Sequence, residues 1–213
     1  MRQFFLVIAV SLGSLAIYAQ EGNLKLPAPA KEGGMPLMQA LNERQTIRAY
    51  TEEALSMQQV SNVLWAAVGV NRPQSGNRRT SPTARNAQEI EVYAFLASGV
   101  YYYDALRHEL TLVKAGDHRT DAARQEFAQK APLVLVFVAN YDRFGDRGDA
   151  ESNALYGATD AGFASQNVYL YCASEGLGTV VLGNIDREKI AETLSLKNGK
   201  AILSQSVGKV KKN

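Results

Sequence analysis

The sequence predicts an α+β domain, a mixed central sheet flanked by helices. Three observations carry that expectation. Residues 133–139 (LVLVFVA) form an unbroken apolar run between Pro132 and Asn140, as in a strand covered on both faces. Residues 150–175 read as one long helix closed by Gly176. Elsewhere strands and helices interleave without strict strand–helix–strand alternation.

Taken in order, Arg2 precedes an apolar run at residues 4–19 (FFLVIAVSLGSLAIYA) that ends in small residues. That pattern fits a Sec-type signal peptide over residues 1–19, cleaved after Ala19. Ser11, Gly13 and Ser14 interrupt the run, which is short for a spanning helix. The expected location is therefore periplasmic or secreted, with no stable membrane insertion after cleavage. Residues 20–34 mix Pro, Gly and Ala and read as a linker, leaving residues 35–213 as the domain.

Thr51 suits a helix N-cap, followed by Glu52 and Glu53 and by Val60, Val63, Leu64, Ala67 and Val68 at helical spacing, with Gly69 as the stop. In residues 89–96, Ile90, Val92, Ala94 and Leu96 alternate with Tyr93 and Phe95, a strand pattern. Residues 101–113 suggest a hairpin turning through residues 104–108, and residues 119–130 a polar-faced helix. A short strand at residues 179–182, a helix capped by Asp186 and a last strand at residues 201–207 complete the chain. Gly157, Ala161 and Ser165 form a smooth stripe on the long helix, suited to packing within the chain or against a second copy.

Composition narrows the chemistry. Of the 213 residues, 46% are hydrophobic and 21% charged, enough to build a sizeable core. The formal charge of +2 demands no nucleic-acid partner. Cys172 is the single cysteine, so no internal disulfide forms, and its apolar setting suits a small hydrophobe better than a nucleophile. His108 and His118 stand apart from any nucleophile signature. Metal-ligand spacings, a Walker loop and the dinucleotide glycine pattern are absent from the sequence.

Four clusters remain. Arg44, Thr46 and Arg48 alternate within RQTIR, so an extended backbone would aim three donors one way, as a phosphate requires. Residues 78–93 (RRTSPTARNAQEIEVY) crowd hydrogen-bonding side chains ahead of a strand. Residues 175–186 (EGLGTVVLGNID) bracket a short strand with glycines that let backbone N–H groups approach a ligand, and Lys209, Lys211 and Lys212 make a basic tail. Donors without acid–base machinery suit a protein whose reactivity belongs to a bound cofactor.

The blocks ERQTIRAY, SPTARNAQEIEVY, DAGFASQNVYLYCASEGLGTVVLGNID and QSVG, in that order, resemble the FMN-dependent nitroreductase family. LWAAVGVNR and GVYYYD look like its SagB-type dehydrogenase branch, although the Lys–Tyr pair of azoline dehydrogenases finds no secure match. The resemblance implies a homodimer with flavin sites shared between subunits. In it Arg44, Gln45, Thr46 and Arg48 would grip the FMN phosphate and ribityl chain. Pro82, Thr83, Ala84, Asn86 and Gln88 would reach the flavin across the dimer interface. Val181, Leu182, Gly183 and Asn184 would run beside the ring, with the Gly183 N–H near N5 and Leu182 against the ring face.

Two departures accompany the match. Arg85 stands where the family often has Gly or Ser, and would narrow the substrate mouth or bind an acidic group. The sequence also stops five residues after Gly208, where many relatives carry a basic tail, so Lys209 or Lys211 is the available substitute. The implied activity is ping-pong hydride transfer through flavin N5, to or from a small organic substrate. A non-catalytic flavin-binding or carrier module outside the cytoplasm is the alternative.

Overall fold

The computed structural model describes residues 22–211. The expected signal peptide and Lys212 lie outside them. In chain order the elements are β1 (Leu24–Lys25), α1 (Leu37–Glu43), α2 (Met57–Val68), β2 (Val70–Arg72), β3 (Arg78–Arg79), β4 (Ile90–Leu96), β5 (Gly99–Asp104) and β6 (Glu109–Ala115). Then come α3 (Arg119–Ala122), α4 (Glu126–Gln129), β7 (Leu133–Asn140), α5 (Ala150–Ser174), β8 (Leu177–Leu182), α6 (Arg187–Leu194) and β9 (Gly199–Lys209).

Seven strands form the main sheet in the order β1-β6-β5-β4-β7-β9-β8, and β2 and β3 make a separate ribbon. The α+β class holds, but every pairing among the described residues is antiparallel, so the sheet is not mixed. Side chains of β7 explain its unbroken apolar run. Leu133, Leu135, Phe137 and Ala139 enter one core, together with α2 and α5. Val134, Val136 and Val138 enter a second core on the other face, with α6 and the alanines around α3 and α4. Period-two alternation thus feeds two helical layers, each buried large side chain contributing about 1.5–3 kcal/mol.

Several expected boundaries move. The N-cap of α2 is Ser56, not Thr51: its hydroxyl accepts from Gln59 N while the Gln59 side chain accepts from Ser56 N. Leu55 and Val60 are buried in the same core, a hydrophobic staple across that cap. Thr51 instead donates its N–H to Lys209 O (2.9 Å). The single helix expected at residues 119–130 is two short turns, α3 and α4, separated by extended Ala123. Ala122, Ala123, Ala128 and Ala131 are all buried, and no one face of a straight helix could present all four to the sheet.

Part of the segment expected to be a linker belongs to the fold. Leu24 and Lys25 pair with Leu110 and Glu109 at the sheet edge. Pro27 O accepts from Ser61 Oγ (2.7 Å) and from His108 Nε2 (3.0 Å), while Tyr103 donates to His108 Nδ1 (2.8 Å). His108 is thus a structural clamp. No helix among the described residues is long and apolar enough to cross a membrane.

The smooth stripe on α5 packs inside the chain. Gly157, Ala161 and Ser165 are buried, and a Cβ at Gly157 would meet Ala139 Cβ at 2.8 Å. Cys172 is buried beside them, which pushes its thiol pKa up and keeps it inert. The same layer contains a charged exception. Glu89 is fully buried and neither carboxyl oxygen has a hydrogen-bond partner. Burial first, and the neighbouring Asp160 second, push its pKa from 4.5 up to about 8. Glu89 therefore holds its proton to a higher pH than a free carboxyl.

Two outcomes are expected. Gly157→Val should cost about 1–3 kcal/mol by overpacking, read as a fall in Tm of about 2–4 °C per kcal/mol. Because folded Glu89 holds a proton that the unfolded chain has released, its contribution to stability falls as pH rises from 4.5 to about 8. Glu89→Gln, a permanent mimic of the neutral acid, should flatten that part of the pH–stability curve in denaturant titrations. An unchanged slope would show that Glu89 is ionised in the fold.

Candidate functional site

Among the described residues β8 lies at one end of the sheet, with β9 on one side and no strand on the other. Its outer backbone groups must find other partners. Residues 44–50 supply some of them without becoming a strand of the sheet. Ile47 N donates to Thr179 O (3.1 Å), and the same segment meets the chain just past β9, where Tyr50 bridges to Val210 and Lys211 N donates to Ala49 O (3.1 Å). Close approach depends on Gly178 and Gly208, where an added Cβ would stand 2.9 Å from Tyr50. The Tyr50 hydroxyl completes the seam through Ile47 O and, at 3.1 Å, Ser206 Oγ.

Tyr169, a residue the sequence reading missed, organises the next step along this edge. Its hydroxyl accepts from Val181 N (3.0 Å) and shares a hydrogen bond with Thr46 Oγ1 (3.2 Å). The Arg44 guanidinium lies over its ring, 5.3 Å from the centroid. Two residues beyond Val181, Gly183 N–H forms no hydrogen bond among the described residues, and the space where its side chain would stand is open. The Arg44–Tyr169 stack thus flanks the start of this edge, and the Tyr169 hydroxyl reaches along it to Val181.

The three alternating donors separate. Arg44 and Gln45 line a hollow of about 380 Å³ with Tyr169 and Thr179. Arg48 lines another, of about 420 Å³, with Lys130 and Lys211. Stacking on Tyr169 draws Arg44 away from the direction that strict alternation predicts. Lys209 forms an ion pair with Glu53, so Lys211 is the basic residue nearer Arg48. Leu182 is buried in the second core, and the half-exposed side chain on this edge belongs to Val181. Asn184 is exposed.

Residues 82–88 form a tight loop in which Arg85, Asn86 and Gln88 all adopt positive φ, at 56°, 54° and 53°. Such conformations cost about 1–3 kcal/mol each and collect at functional sites. The loop is pinned from below and within. Ala84 N donates to Asp160 Oδ2 (2.7 Å), and Gln88 N to Thr83 Oγ1 (3.1 Å). Gln88 accepts from Arg79 Nε (3.0 Å) and donates to Asn77 O (3.2 Å), so its side chain braces the loop. Pro82 and Asn86 remain exposed. Arg85 lies 5.3 Å from the Tyr156 ring centroid, turned toward the start of α5.

Asp160 beneath this loop and Tyr169 beneath residues 44–50 are nine residues apart on α5. They are separated by roughly 13 Å along the axis and by half a turn around it. The two groups of expected site residues thus sit on opposite sides of one helix. One chain does not bring them together.

A family model described as "Nitroreductase family" matches residues 41–209. A nitroreductase-like protein of Methanocaldococcus jannaschii is 33% identical over 175 residues, 76% of this chain and 85% of that one. An NAD(P)H-dependent FMN reductase of Bacillus subtilis is 24% identical over 75% of this chain and 59% of its own. A solved nitroreductase-like structure from Ralstonia eutropha JMP134 superposes with a TM-score of 0.85 and 38% identity, covering 99% of this chain and 97% of that one. The strained loop, the open strand edge and these matches agree, and the chain belongs to the nitroreductase family.

Proposed function

We propose that this protein is an FMN-dependent oxidoreductase, acting as a homodimer on a small organic substrate outside the cytoplasm. The observation that carries the reading is Tyr169 at the outer edge of β8, stacked under Arg44 and bonded through its hydroxyl to Val181 N, two residues before a Gly183 N–H that forms no hydrogen bond among the described residues. A flat heterocycle with ring-nitrogen acceptors and a phosphate tail matches that set of groups. When bound, FMN supplies the hydride chemistry.

The chain's own residues bind and orient. Arg44 in one hollow, and Arg48 with Lys211 in the other, would bring positive charge from two sides to a phosphate at residues 44–48, and Thr46 adds a hydroxyl. The Gly183 amide donates to an acceptor on the ring, and a fixed donor costs no reorganisation when charge develops there. Tyr169 holds Thr46 and Val181 in register. Pro82, Thr83 and Asn86 would approach from a second subunit, since in one chain they lie across α5. Leu155 (65% exposed) and Phe163 (43% exposed) leave an apolar strip on α5 that a second copy would cover.

The apolar run at residues 4–19 supports export. Sec export passes unfolded chains, so FMN would be acquired after it. Nicotinamide donors are scarce outside the cytoplasm, which favours a substrate that is itself the reductant.

The test is the visible absorbance of the mature chain purified from an exporting host, with the chromophore released by denaturation and identified chromatographically. FMN in near-equimolar amount is expected. A colourless protein that also fails to bind added FMN would overturn the reading and leave a flavin-free binding module. Arg44→Ala/Arg48→Ala should retain no FMN, and unchanged occupancy would sink the assignment of the phosphate site. Tyr169→Phe should weaken FMN binding by a few-fold to about tenfold, the worth of an ordinary hydrogen bond.

A further inference from the structure

We propose that the hollow beside residues 82–88 seats an anionic group of the redox substrate, a carboxylate or a phosphate, held by Arg72, Arg78 and Arg79. The inference rests on the reading of residues 82–88 as a wall of the redox site, and it adds the class of substrate. The hollow measures about 300 Å³, and no carboxylate lines it.

Its basic character is built into the backbone register. In the β2–β3 ribbon Arg72 stands directly opposite Arg78. Like charges opposite each other on a strand pair repel and destabilise it. Among the described residues neither these two nor Arg79 forms an ion pair. Three uncompensated guanidinium groups thus gather in a chain whose whole formal charge is +2.

The remaining polar groups are arranged as donors. Arg79 is fixed by Gln88 Oε1 (3.0 Å) and Val68 O (3.2 Å), which leaves its Nη2 unpaired. Thr83 Oγ1 already accepts from Gln88 N, so its proton is available to a ligand. Asn86 Oδ1 accepts from Gln88 Nε2 (3.3 Å), which leaves the Asn86 Nδ2 hydrogens without a partner. Arg72 also donates to Asn71 Oδ1 (3.0 Å) and Arg79 O (3.1 Å), but these acceptors are neutral, and a wall of guanidinium, hydroxyl and amide donors with no carboxylate in its lining is complementary to an oxyanion. The phosphate of the cofactor has its own basic groups, Arg44 and Arg48, on the other side of α5. The arginines here are additional.

The test uses the full exported chain as purified, with 4-nitrobenzoate, 4-nitrophenyl phosphate and the neutral 4-nitrobenzamide as probes. Calorimetric titration should show one or both anions binding more tightly than the amide, with the preference fading in high salt. Whichever anion leads identifies carboxylate or phosphate as the seated group. Arg72→Gln/Arg78→Gln should weaken the preferred anion about tenfold or more and leave the amide unchanged. The same variant should keep the flavin content of the wild type.

Equal binding of anions and amide by the wild type would overturn the proposal, as would an unchanged anion affinity in the variant. A variant that loses flavin would assign the hollow to the cofactor, and one that loses its dimer in sedimentation would assign it to the partner subunit. Either result also overturns the proposal. A wild-type chain without flavin defeats the proposed function alone, because the titrations still decide whether the hollow selects anions.

Discussion

The half of the candidate site built on residues 44–50 and β8 follows from one constraint: β8 ends the described sheet, and the backbone groups on its outer edge cannot be left buried and unpaired. Thr179 O and Val181 N face that edge and take Ile47 N and the Tyr169 hydroxyl. The partners are not a further strand, so the pairing stops short, and among the described residues Gly183 N–H takes no partner. A sheet edge is normally a hazard for aggregation. Here it is covered as far as Val181 and opened where a ligand could use it.

The same economy appears in the α5 layer. Gly157, Ala161 and Ser165 let the helix lie close on β7, and that closeness traps Glu89 and Asp160 between the helix and the start of β4. A neutral Glu89 lowers the electrostatic cost of the pair, and Asp160 is left to hold Ala84 N–H. The strained loop above is therefore supported by a buried acid, by Gln88 and by Arg79 together. Left-handed backbone at three non-glycine residues persists because so many contacts fix it.

Much of this was legible in the residues. The apolar run of β7, the alternation of β4, the hairpin of β5 and β6 and the long α5 all follow from periodicity, which is local. The Ser56-x-x-Gln59 capping box was also present as a signal, but Thr51 with its two following glutamates imitated an N-cap more loudly. The break between α3 and α4 was not legible, because it is set by the sheet surface that four alanines must reach. The sheet's direction was hidden for a similar reason: the alternation of β4 and β7 is the same whichever way a neighbouring strand runs.

The candidate site divides in the same way. The sequence alone identified the donor-rich segments, the glycines beside β8 and the strained loop residues, because residue type and spacing are enough to mark hydrogen-bonding capacity. It also carried the family. Tertiary structure decided which donors remain free. Tyr169 orients Arg44 by stacking and takes Val181 N by a hydrogen bond, Glu53 claims Lys209, and Gln88 is spent on its own loop. It decided too that Arg72 and Arg78 face each other across a ribbon and that the two halves of the site lie on opposite sides of α5. The physical reason is common to all of these. Availability of a polar group depends on what packs within hydrogen-bonding distance of it, and in a folded chain those neighbours come from segments far away in sequence.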